Sequence, residues 1–389
     1  MLRYAIGLVA LLTIFSSCES DFKLTGEYEE KPLIYGLLDP LDNPNVGGAG
    51  HLFRIQKAFL GEESAFIMAL EPDSSYFRYE DLFVELIEYN GSAVSNRWKL
   101  DTVMISTKDT GNPDDDVIDF FGPMQRLYKT KTTSGSDQVN INADRDYEIT
   151  LKKKPIGMTT AMTIANMDTV TPIADSKISI VDVSTLQFTK PQQNSNTSQR
   201  ITLVNTSREY INYILNFSTA DRGKQYEVWL RFYYREIIAG VETVKSIEWL
   251  VKTVSVGSET IVQVPILSEN FFSRIGSVVA EEAGVVRKIG RQDGIAGDPN
   301  PLDGHSQDLD IEVRIAGEAL FSYIDINNPS NATVLQDKPV YTNITNGLGV
   351  FSSRSKVELL SRVYLSNETH LEIVDGQYTK GRGFVIDPN

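Results

Sequence analysis

Apolar and polar residues alternate in short runs along most of this chain, which is the pattern of β-strands. Residues 51–60 and 82–89 alternate with a period of two, and residues 33–38 form a nearly continuous apolar run. Such a period places successive side chains on opposite faces of a sheet. Asn90 and Gly91 follow the second run, and because this dipeptide tolerates positive φ, it predicts a hairpin turn.

The first part of the pattern predicts an immunoglobulin-like β-sandwich over residues 33–165. About seven short strands are expected, at residues 33–38, 51–60, 82–89, 95–105, 124–133, 147–153 and 159–165. Short strands in this number, with turn signals between them, are typical of such a sandwich. Residues 166–175 then predict a joint between two domains.

A larger β-rich domain is predicted over residues 166–389, with one main helix inserted in it. The aromatic runs at residues 226–238 and 243–255 predict the centre of a large sheet. The helix is predicted over about residues 268–289, with Ser268 as its N-cap. Its apolar residues fall on one stripe at helical spacing: Phe271, Ile275, Val278, Val279 and Val286.

The C-terminal part of the chain predicts a short helix and two closing strands, at residues 318–325, 347–352 and 356–365. Gly347 and Gly349 stand at the start of the first closing strand. Glycine there supplies positive φ or lets two backbones approach closely. Val350 and Phe351 are expected to be buried directly after these glycines.

Residues 1–17 have the order of a secretory signal peptide. Arg3 precedes an apolar run at residues 4–15, and two serines then precede Cys18. A charged start, a short apolar core and a small-residue site are typical of such peptides. The apolar run is too short to span a membrane, which takes ~20 apolar residues.

Cys18 is the only cysteine in 389 residues, so no disulfide can form within the chain. The sequence Phe15-Ser-Ser-Cys18 resembles the lipobox of bacterial lipoproteins, with Phe15 in place of the usual leucine. The resemblance implies cleavage after Ser17, a thioether-linked diacylglyceryl group on Cys18, and acylation, such as palmitoylation, of the new amino terminus. The alternatives are a cleaved secretory peptide with a free thiol and a buried core cysteine.

Residues 18–32 form the predicted lipidated tether, which is polar, acidic and without clear periodicity. Glu19, Ser20 and Asp21 resemble the export signal that sends Bacteroidota-type lipoproteins to the outer face of the outer membrane. A merely solvated tether is the alternative. We expect a protein that is lipid-anchored in the outer membrane at the cell surface, with the periplasmic leaflet as the alternative location.

A formal net charge of −15 at pH 7 limits the classes of partner. Nucleic-acid binding rests on neutralising phosphates with Lys and Arg, so this charge disfavours it. The charge also disfavours lying flat on an anionic lipid surface, so the anchor is expected to hold the body away from the bilayer. The hydrophobic content of 41% excludes wholesale disorder.

Two regions near the ends of the chain resemble a family of uncharacterised Bacteroidota-type surface lipoproteins. Residues 31–40 and 53–61 are similar to the start of these proteins, and residues 339–351 resemble their closing N-I-x-x-G-x-G-x-F segment. The family is of unknown function, so no catalytic residues follow from the resemblance. It implies a context, because such lipoproteins tend to accompany TonB-dependent outer-membrane transporters.

The residues predict neither an enzyme nor a cofactor. The histidines are His51, His305 and His370, and with no cysteine left after lipidation a Cys/His zinc site is excluded. The sequence has no HExxH motif, no G-x-S-x-G elbow and no phosphate-binding glycine loop. A Ser–His–Asp arrangement and a paired-carboxylate site stay open as alternatives, because sequence spacing tests neither.

Three further patterns are hypotheses about binding or modification. The loops at residues 114–119 and 298–304 are oxygen-rich and turn-prone, as calcium requires, and solvated turns are the simpler interpretation. Thr102 and Thr169 lie in Asp-Thr-Val triplets that resemble an O-glycosylation acceptor of such bacteria. Four aromatic residues form either a sugar-stacking platform or, more simply, part of the core: Trp229, Tyr233, Tyr234 and Trp249.

These observations lead us to expect a non-enzymatic lipoprotein that is an accessory or binding subunit of an outer-membrane protein complex. A TonB-dependent transporter is the expected partner. The alternative is a solitary surface lipoprotein that binds a glycan or a peptide. The sequence assigns no ligand-binding residues, no metal ligands and no catalytic residues.

Overall fold

The computed structural model describes residues 31–58, 72–105, 125–155, 157–164, 172–179, 188–190, 199–220, 222–290, 308–328, 340–359 and 363–387. Strands make up 49% and helices 15% of the structure, which confirms that the protein is mostly β. The predicted signal peptide, Cys18 and the tether as far as residue 30 lie outside the described residues.

The strands, in chain order, are β1 Pro32–Leu38, β2 Leu52–Lys57, β3 Leu82–Asn90, β4 Ala93–Lys99, β5 Asp101–Ile105, β6 Gln125–Lys129, β7 Asp146–Lys153, β8 Pro172–Ser179, β9 Phe188–Lys190, β10 Gln199–Ile201, β11 Tyr213–Ser218, β12 Gly223–Ile238, β13 Val241–Ser255, β14 Ile261–Ile266, β15 Val286–Ile289, β16 Leu309–Gly317, β17 Leu348–Leu359, β18 Val363–Leu365 and β19 Phe384–Ile386. The α-helices are α1 Pro72–Ser75, α2 Ser268–Val278, α3 Glu318–Asn327 and α4 Asn367–Asp375. Two short 3-10 helices, η1 Pro40–Asp42 and η2 Pro44–Val46, follow β1.

Ten strands form one branched sheet with β12 at its centre. One edge of β12 pairs with β16 and then with β15, which continues to β19. From β16 the sheet continues through β17, β1, β2 and β6 to β5. The other edge of β12 pairs with β13 in antiparallel register, from Gln225 opposite Ser255 to Ile238 opposite Val241. Within the part of the chain that the structure describes, β13 is therefore an outer strand of this sheet.

Three smaller sheets complete the β structure. The first has the order β4-β3-β7-β8, and the second has the order β14-β11-β9. Strands β10 and β18 form a short parallel pair.

Two hydrophobic clusters hold these sheets together. One cluster joins buried residues of β3 and β7 to those of β1, β2 and β6, including Ile34, Phe53, Leu86, Tyr147 and Phe351. The other lies between β12, β16, β11, β14 and α2. Strand β12 shows why this cluster forms, because every second residue points into it and is fully buried: Tyr226, Val228, Leu230 and Phe232.

The two regions that carry the family resemblance lie side by side as parallel strands. Ile34 of β1 is opposite Gly349 of β17, and Gly36 is opposite Phe351. Gly349 has φ of +108°, and a Cβ built on it would overlap the carbonyl oxygen of Ile34. Val350 and Phe351 are 5% and 0% exposed. The predicted close backbone approach and the burial after it are both confirmed.

The β3–β4 hairpin confirms the predicted turn, while two neighbouring predictions are wrong. Gly91 has φ of +61°, and Asn90 pairs with Ala93 across the turn. The single strand predicted at residues 95–105 is divided at Leu100, which is buried and separates β4 from β5. A strand is predicted at residues 159–165, but residues 157–164 do not form one. The strand that pairs with β7 and completes its four-stranded sheet is β8, which begins within the predicted domain joint at residues 166–175.

The main helix is shorter than predicted. Helix α2 ends at Val278, and Val286–Ile289, predicted to be helical, form β15 because they pair with β12 and β19. Ser268 is not the N-cap, which is Leu267. The Ser268 hydroxyl instead donates to the carbonyl of Ile211. Backbone pairing with distant strands overrides the helical spacing of the apolar residues here.

The C-terminal elements differ from the prediction in number. Strand β17 is one long strand where two closing strands were predicted, and α4 and β19 were not predicted. Ser366 caps α4 by accepting a hydrogen bond from the backbone N–H of Thr369. The pairings of β1 with β17 and of β7 with β8 cross residue 165, and the division into two domains there stays a prediction.

Replacing Gly349 by alanine is expected to lower the free energy of unfolding by about 2–4 kcal/mol, because it combines positive φ with overlap against Ile34. Gly91→Ala is the matched control, since Gly91 has positive φ and no neighbour within 4 Å of an added Cβ. The control is expected to cost about 1 kcal/mol. Urea unfolding followed by circular dichroism measures both, and equal losses would contradict the role given to the β1–β17 contact.

Candidate functional site

A cavity lies between the outer edge of β13 and α2, and we call it the edge groove. Its volume is about 930 Å³. The lining residues are Trp229, Glu248, Trp249, Leu250, Val251, Lys252, Pro265, Ile266, Leu267, Asn270, Phe271, Ser273, Arg274 and Ser277. The cavity is of the size that ligand sites usually have, ~300–1,000 Å³.

Five consecutive residues of β13, from Glu248 to Lys252, line the edge groove. Successive side chains of a strand point to opposite faces of a sheet, so a cavity on one face would contact only every second residue. The edge groove therefore runs along the backbone edge of the strand. Leu250 lies at this edge with 41% of its surface exposed.

A β-bulge at Val251 shapes the strand beside the groove. Val228 pairs with Lys252 and Trp229 pairs with Leu250, which leaves Val251 as the extra residue. A bulge bends an edge strand and limits unspecific pairing with other chains. The bulge lies within the five residues that line the edge groove and bends β13 there.

Helix α2 supplies the opposite wall with one polar face. Asn270, Ser273, Arg274 and Ser277 follow one another at the spacing of a single helical face and all line the groove. The other face of α2 is buried through Phe271, Phe272 and Ile275. The ring of Phe271 lies 5.7 Å from that of Trp249, so an aromatic contact sets the separation of helix and strand.

Glu248 is held in place by two arginines from neighbouring strands. Arg231 of β12 donates to one carboxylate oxygen at 2.7 Å, and Arg314 of β16 donates to the other at 2.9 Å. Charge-assisted hydrogen bonds of this kind are stronger than neutral ones. They fix β13 to the sheet and neutralise the carboxylate that faces the edge groove.

The outer face of the sheet continues this charged network, and we call it the charged face. Arg314 also pairs with Glu312, and Lys356 of β17 pairs with Glu358. The hydrogen bond from Lys356 to Glu358 raises the pKa of the Lys356 ammonium. Oppositely charged side chains thus alternate across β13, β12, β16 and β17.

A second cavity of about 560 Å³ lies on the charged face, below α3. Leu320 and Ile324 of α3 form one wall, and Arg314, Arg354 and Lys356 are among the charged residues of the floor. These three cations are paired with acidic residues of the protein. The charges in this cavity are therefore compensated internally, and we do not assign a ligand to it.

The four aromatic residues of the possible sugar platform lie on opposite faces of the sheet. Trp229 and Tyr233 belong to the charged face, and the Arg314 guanidinium lies 4.2 Å from the centre of the Trp229 ring. Tyr234 and Trp249 pack against the hydrophobic core instead. The structure does not bring the four rings together, because alternate residues of β12 point to different faces.

His370 and Asp308 form a partly buried pair that joins α4 to the start of β16. The His370 Nε2 atom lies 2.6 Å from one carboxylate oxygen of Asp308, and the Gly290 N–H donates to the other at 2.9 Å. His370 is 6% exposed and lines neither of the two cavities. The pair is placed to fix the ends of β15 and β16, and His305 lies outside the described residues.

His51 and Asp39 form a second buried corner, next to the wall of the second cavity. The His51 Nε2 atom lies 2.8 Å from the carbonyl oxygen of Asp39, and Arg354 lies 3.4 Å from the Asp39 carboxylate. Burial lowers the pKa of the His51 imidazole and raises the pKa of the Asp39 carboxyl.

Several predicted sites lie outside the described residues: Cys18, Thr169 and both acidic loops, at residues 114–119 and 298–304. Thr102 is described and is exposed on β5, so its glycosylation stays a prediction. Within the described residues, no group of three or more His, Cys, Asp or Glu side chains is arranged to hold a metal ion. None of the described helices has the length and apolar character needed to cross a membrane.

Comparison with protein-family models gives no match, and comparison with curated proteins gives none either. The family resemblance at the two ends of the chain therefore stays a prediction. The functional proposal below is therefore based on the geometry of the edge groove.

Sequence reasoning identified the strands and the helix of the edge groove but not the groove itself. Phe271 lies on the predicted helical stripe, but the prediction that Trp249 lies on a central strand is wrong, because β13 pairs only with β12 within the described residues. The signal that could have located the groove is the order of elements, a long hairpin followed by a short strand and a helix. That order does not reveal which edge of β13 stays open.

Stability is expected to fall as the pH drops below the ordinary His51 pKa of 6.5. The unfolded chain takes up a proton there, while the folded state resists until lower pH, so the stabilisation is present above 6.5 and is lost as the pH falls through the folded-state pKa. The loss between pH 6.5 and 5.5 is at most about 1.4 kcal/mol for one proton.

The matched variant for this pH dependence is His51→Gln. Urea unfolding at several pH values compares the two proteins, and the slope with pH is expected to be smaller in the variant. The difference between the two proteins contains the titration of His51 together with its electrostatic coupling to Asp39. Equal slopes would contradict the assignment to His51.

Proposed function

We propose that this chain is a lipid-anchored binding subunit of an outer-membrane protein complex, which holds an extended segment of its partner in the edge groove. The observation that carries the proposal is that five consecutive residues of β13 face one cavity. An open strand edge offers a row of backbone N–H and C=O groups, which bind an extended chain by strand addition. The partner that we expect is a TonB-dependent transporter.

The groove offers more than backbone groups. Leu250 and Leu267 are both 41% exposed at its rim, and Trp249 and Phe271 line its interior. Partly exposed apolar side chains in a concave site favour a protein or peptide partner, because their burial on binding is favourable. Polar groups of α2 can then bind the side chains of the added strand.

The membrane part of the proposal is supported by the sequence around Cys18. Diacylglyceryl attachment and amino-terminal acylation would give more than one acyl chain, and two chains suffice for stable anchoring. The acidic tether between the anchor and β1 keeps the folded body close to membrane partners without placing it on the lipid surface.

A binding role without catalysis is supported by the positions of the two described histidines. His51 and His370 are 1% and 6% exposed, and neither lines the edge groove or the second cavity. A general base must reach the proton that it removes from a substrate. These two imidazoles are engaged with Asp39 and Asp308 in the interior instead.

The rival proposal is a solitary lipoprotein that binds a glycan or a free peptide. Trp229 and Trp249 line the edge groove but Tyr233 and Tyr234 do not, so the four rings do not form one flat glycan platform. The immunoglobulin-like description of residues 33–165 belongs to our proposal as well. The support for it is one hydrophobic cluster that contains buried residues of the β4-β3-β7-β8 sheet and of β1, β2 and β6, as between the two sheets of a sandwich.

Replacing Cys18 by alanine is expected to release the protein from the membrane, because it removes the atom to which the lipid is attached. Fractionation of the cell envelope measures the change, and mass spectrometry of the wild-type protein is expected to find acyl chains at residue 18. Ser17→Ala is a suitable control, since it keeps a small residue at the cleavage site. An unmodified thiol in the wild-type protein would contradict the anchor.

Replacing Ser273 by tryptophan is expected to fill the edge groove from the α2 side. Affinity purification in mild detergent is expected to recover an outer-membrane partner in stoichiometric amount with the wild-type protein. The variant is expected to recover at least about tenfold less, which corresponds to ~1.4 kcal/mol of binding free energy. Gln263→Trp on β14 is the control, because Gln263 is exposed and lies outside the groove. Equal recovery by both variants would contradict the proposal.

A further inference from the structure

The edge groove carries two cations on opposite walls. Lys252 belongs to β13 and Arg274 belongs to α2, and both side chains are exposed and line the groove. Among the described residues, neither has an ion pair with an acidic side chain. This contrasts with the second cavity, where Arg314, Arg354 and Lys356 are paired.

The acidic residue among those lining the groove does not compensate these cations. Glu248 already accepts hydrogen bonds from Arg231 and Arg314 through both carboxylate oxygens. The groove is therefore locally positive, although the whole chain has a formal net charge of −15. A local charge opposite to that of the whole protein selects a partner by electrostatic complementarity.

We propose that the segment bound in the edge groove is acidic and extended, and that its carboxylates pair with Lys252 and Arg274. This inference rests on the proposed function, because it identifies the chemistry of the segment that adds to β13. The five residues of β13 along the groove correspond to about five residues of the added strand, at ~3.3 Å each.

Alternation along the added strand fits the two sides of the groove. Side chains that point towards α2 meet Asn270, Ser273 and Arg274, while those between them meet the exposed Leu250 or solvent. The Asn270 side-chain amide can donate a hydrogen bond to a carboxylate that Arg274 attracts, whereas the Ser273 hydroxyl donates to the carbonyl of Asn270. A segment with Asp or Glu at every second position therefore matches the α2 wall.

The test uses the full lipidated chain in mild detergent and two fluorescent ten-residue peptides. One peptide alternates glutamate with valine, and the other replaces each glutamate by glutamine. Fluorescence anisotropy at low and high salt measures the dissociation constants. The glutamate peptide is expected to bind about tenfold more tightly at low salt, and the difference is expected to shrink at high salt.

Charge reversal identifies the residues responsible. The double variant Lys252→Glu and Arg274→Glu is expected to weaken binding of the glutamate peptide by about tenfold or more, and to leave the glutamine peptide nearly unchanged. Lys380→Glu is the single-charge control, because Lys380 is exposed and lies outside the groove. The neutral double variant Lys252→Gln and Arg274→Gln is expected to have a dissociation constant for the glutamate peptide between those of the wild type and the charge-reversal variant.

The outcomes separate this inference from the proposed function. Equal binding of both peptides, blocked in each case by Ser273→Trp, would overturn the acidic preference and retain strand binding in the groove. Peptide binding unaffected by Ser273→Trp would overturn both. Binding of the glutamate peptide only after deletion of residues 19–30 would assign the groove to the chain's own acidic tether and overturn the assignment to a partner. If the protein bound polyphosphate and the glutamate peptide with equal affinity, the groove would select negative charge alone, and the assignment to an acidic protein segment would be overturned.

Discussion

The strict alternation of side chains along β12 is the constraint on which the rest of the structure depends. Tyr226, Val228, Leu230 and Phe232 point into the core, so the residues between them must point to the opposite face. Those intervening residues include Trp229 and Arg231, which begin the charged face. The alternation along β12 thus determines which face of the sheet is buried in the hydrophobic core and which face carries the charged side chains.

Because β13 pairs with β12, its side chains alternate between the same two faces of the sheet. Trp249 pairs with Leu230 and packs against the core, while Glu248 pairs with Arg231 and is held by two arginines. These two contacts fix the strand from both sides of the sheet and leave its outer backbone edge beside α2. The edge groove therefore has rigid walls, which lowers the entropic cost of binding an extended segment.

Parallel pairing of β1 with β17 joins the first described strand to a strand from the C-terminal part of the chain. Gly349 permits this contact because only a residue without Cβ lets the Ile34 carbonyl approach so closely. The contact also places the end of the tether at the sheet that bears β13, with β17, β16 and β12 between them. In the proposed function, the tether thus leads into the same sheet that bears the binding edge.

The sequence by itself determined that the protein is mostly β, and it determined most strand positions, the turn at Gly91 and the need for glycine at Gly349, because these follow from local periodicity and backbone conformation. Only the tertiary structure decided that Val286–Ile289 form a strand, that β8 joins β7, and that the four aromatic residues separate onto two faces. Long-range pairing settles these features, since the same local pattern fits either outcome. The open edge of β13 belongs to this second group, because a strand is an edge only by virtue of what does not pair with it.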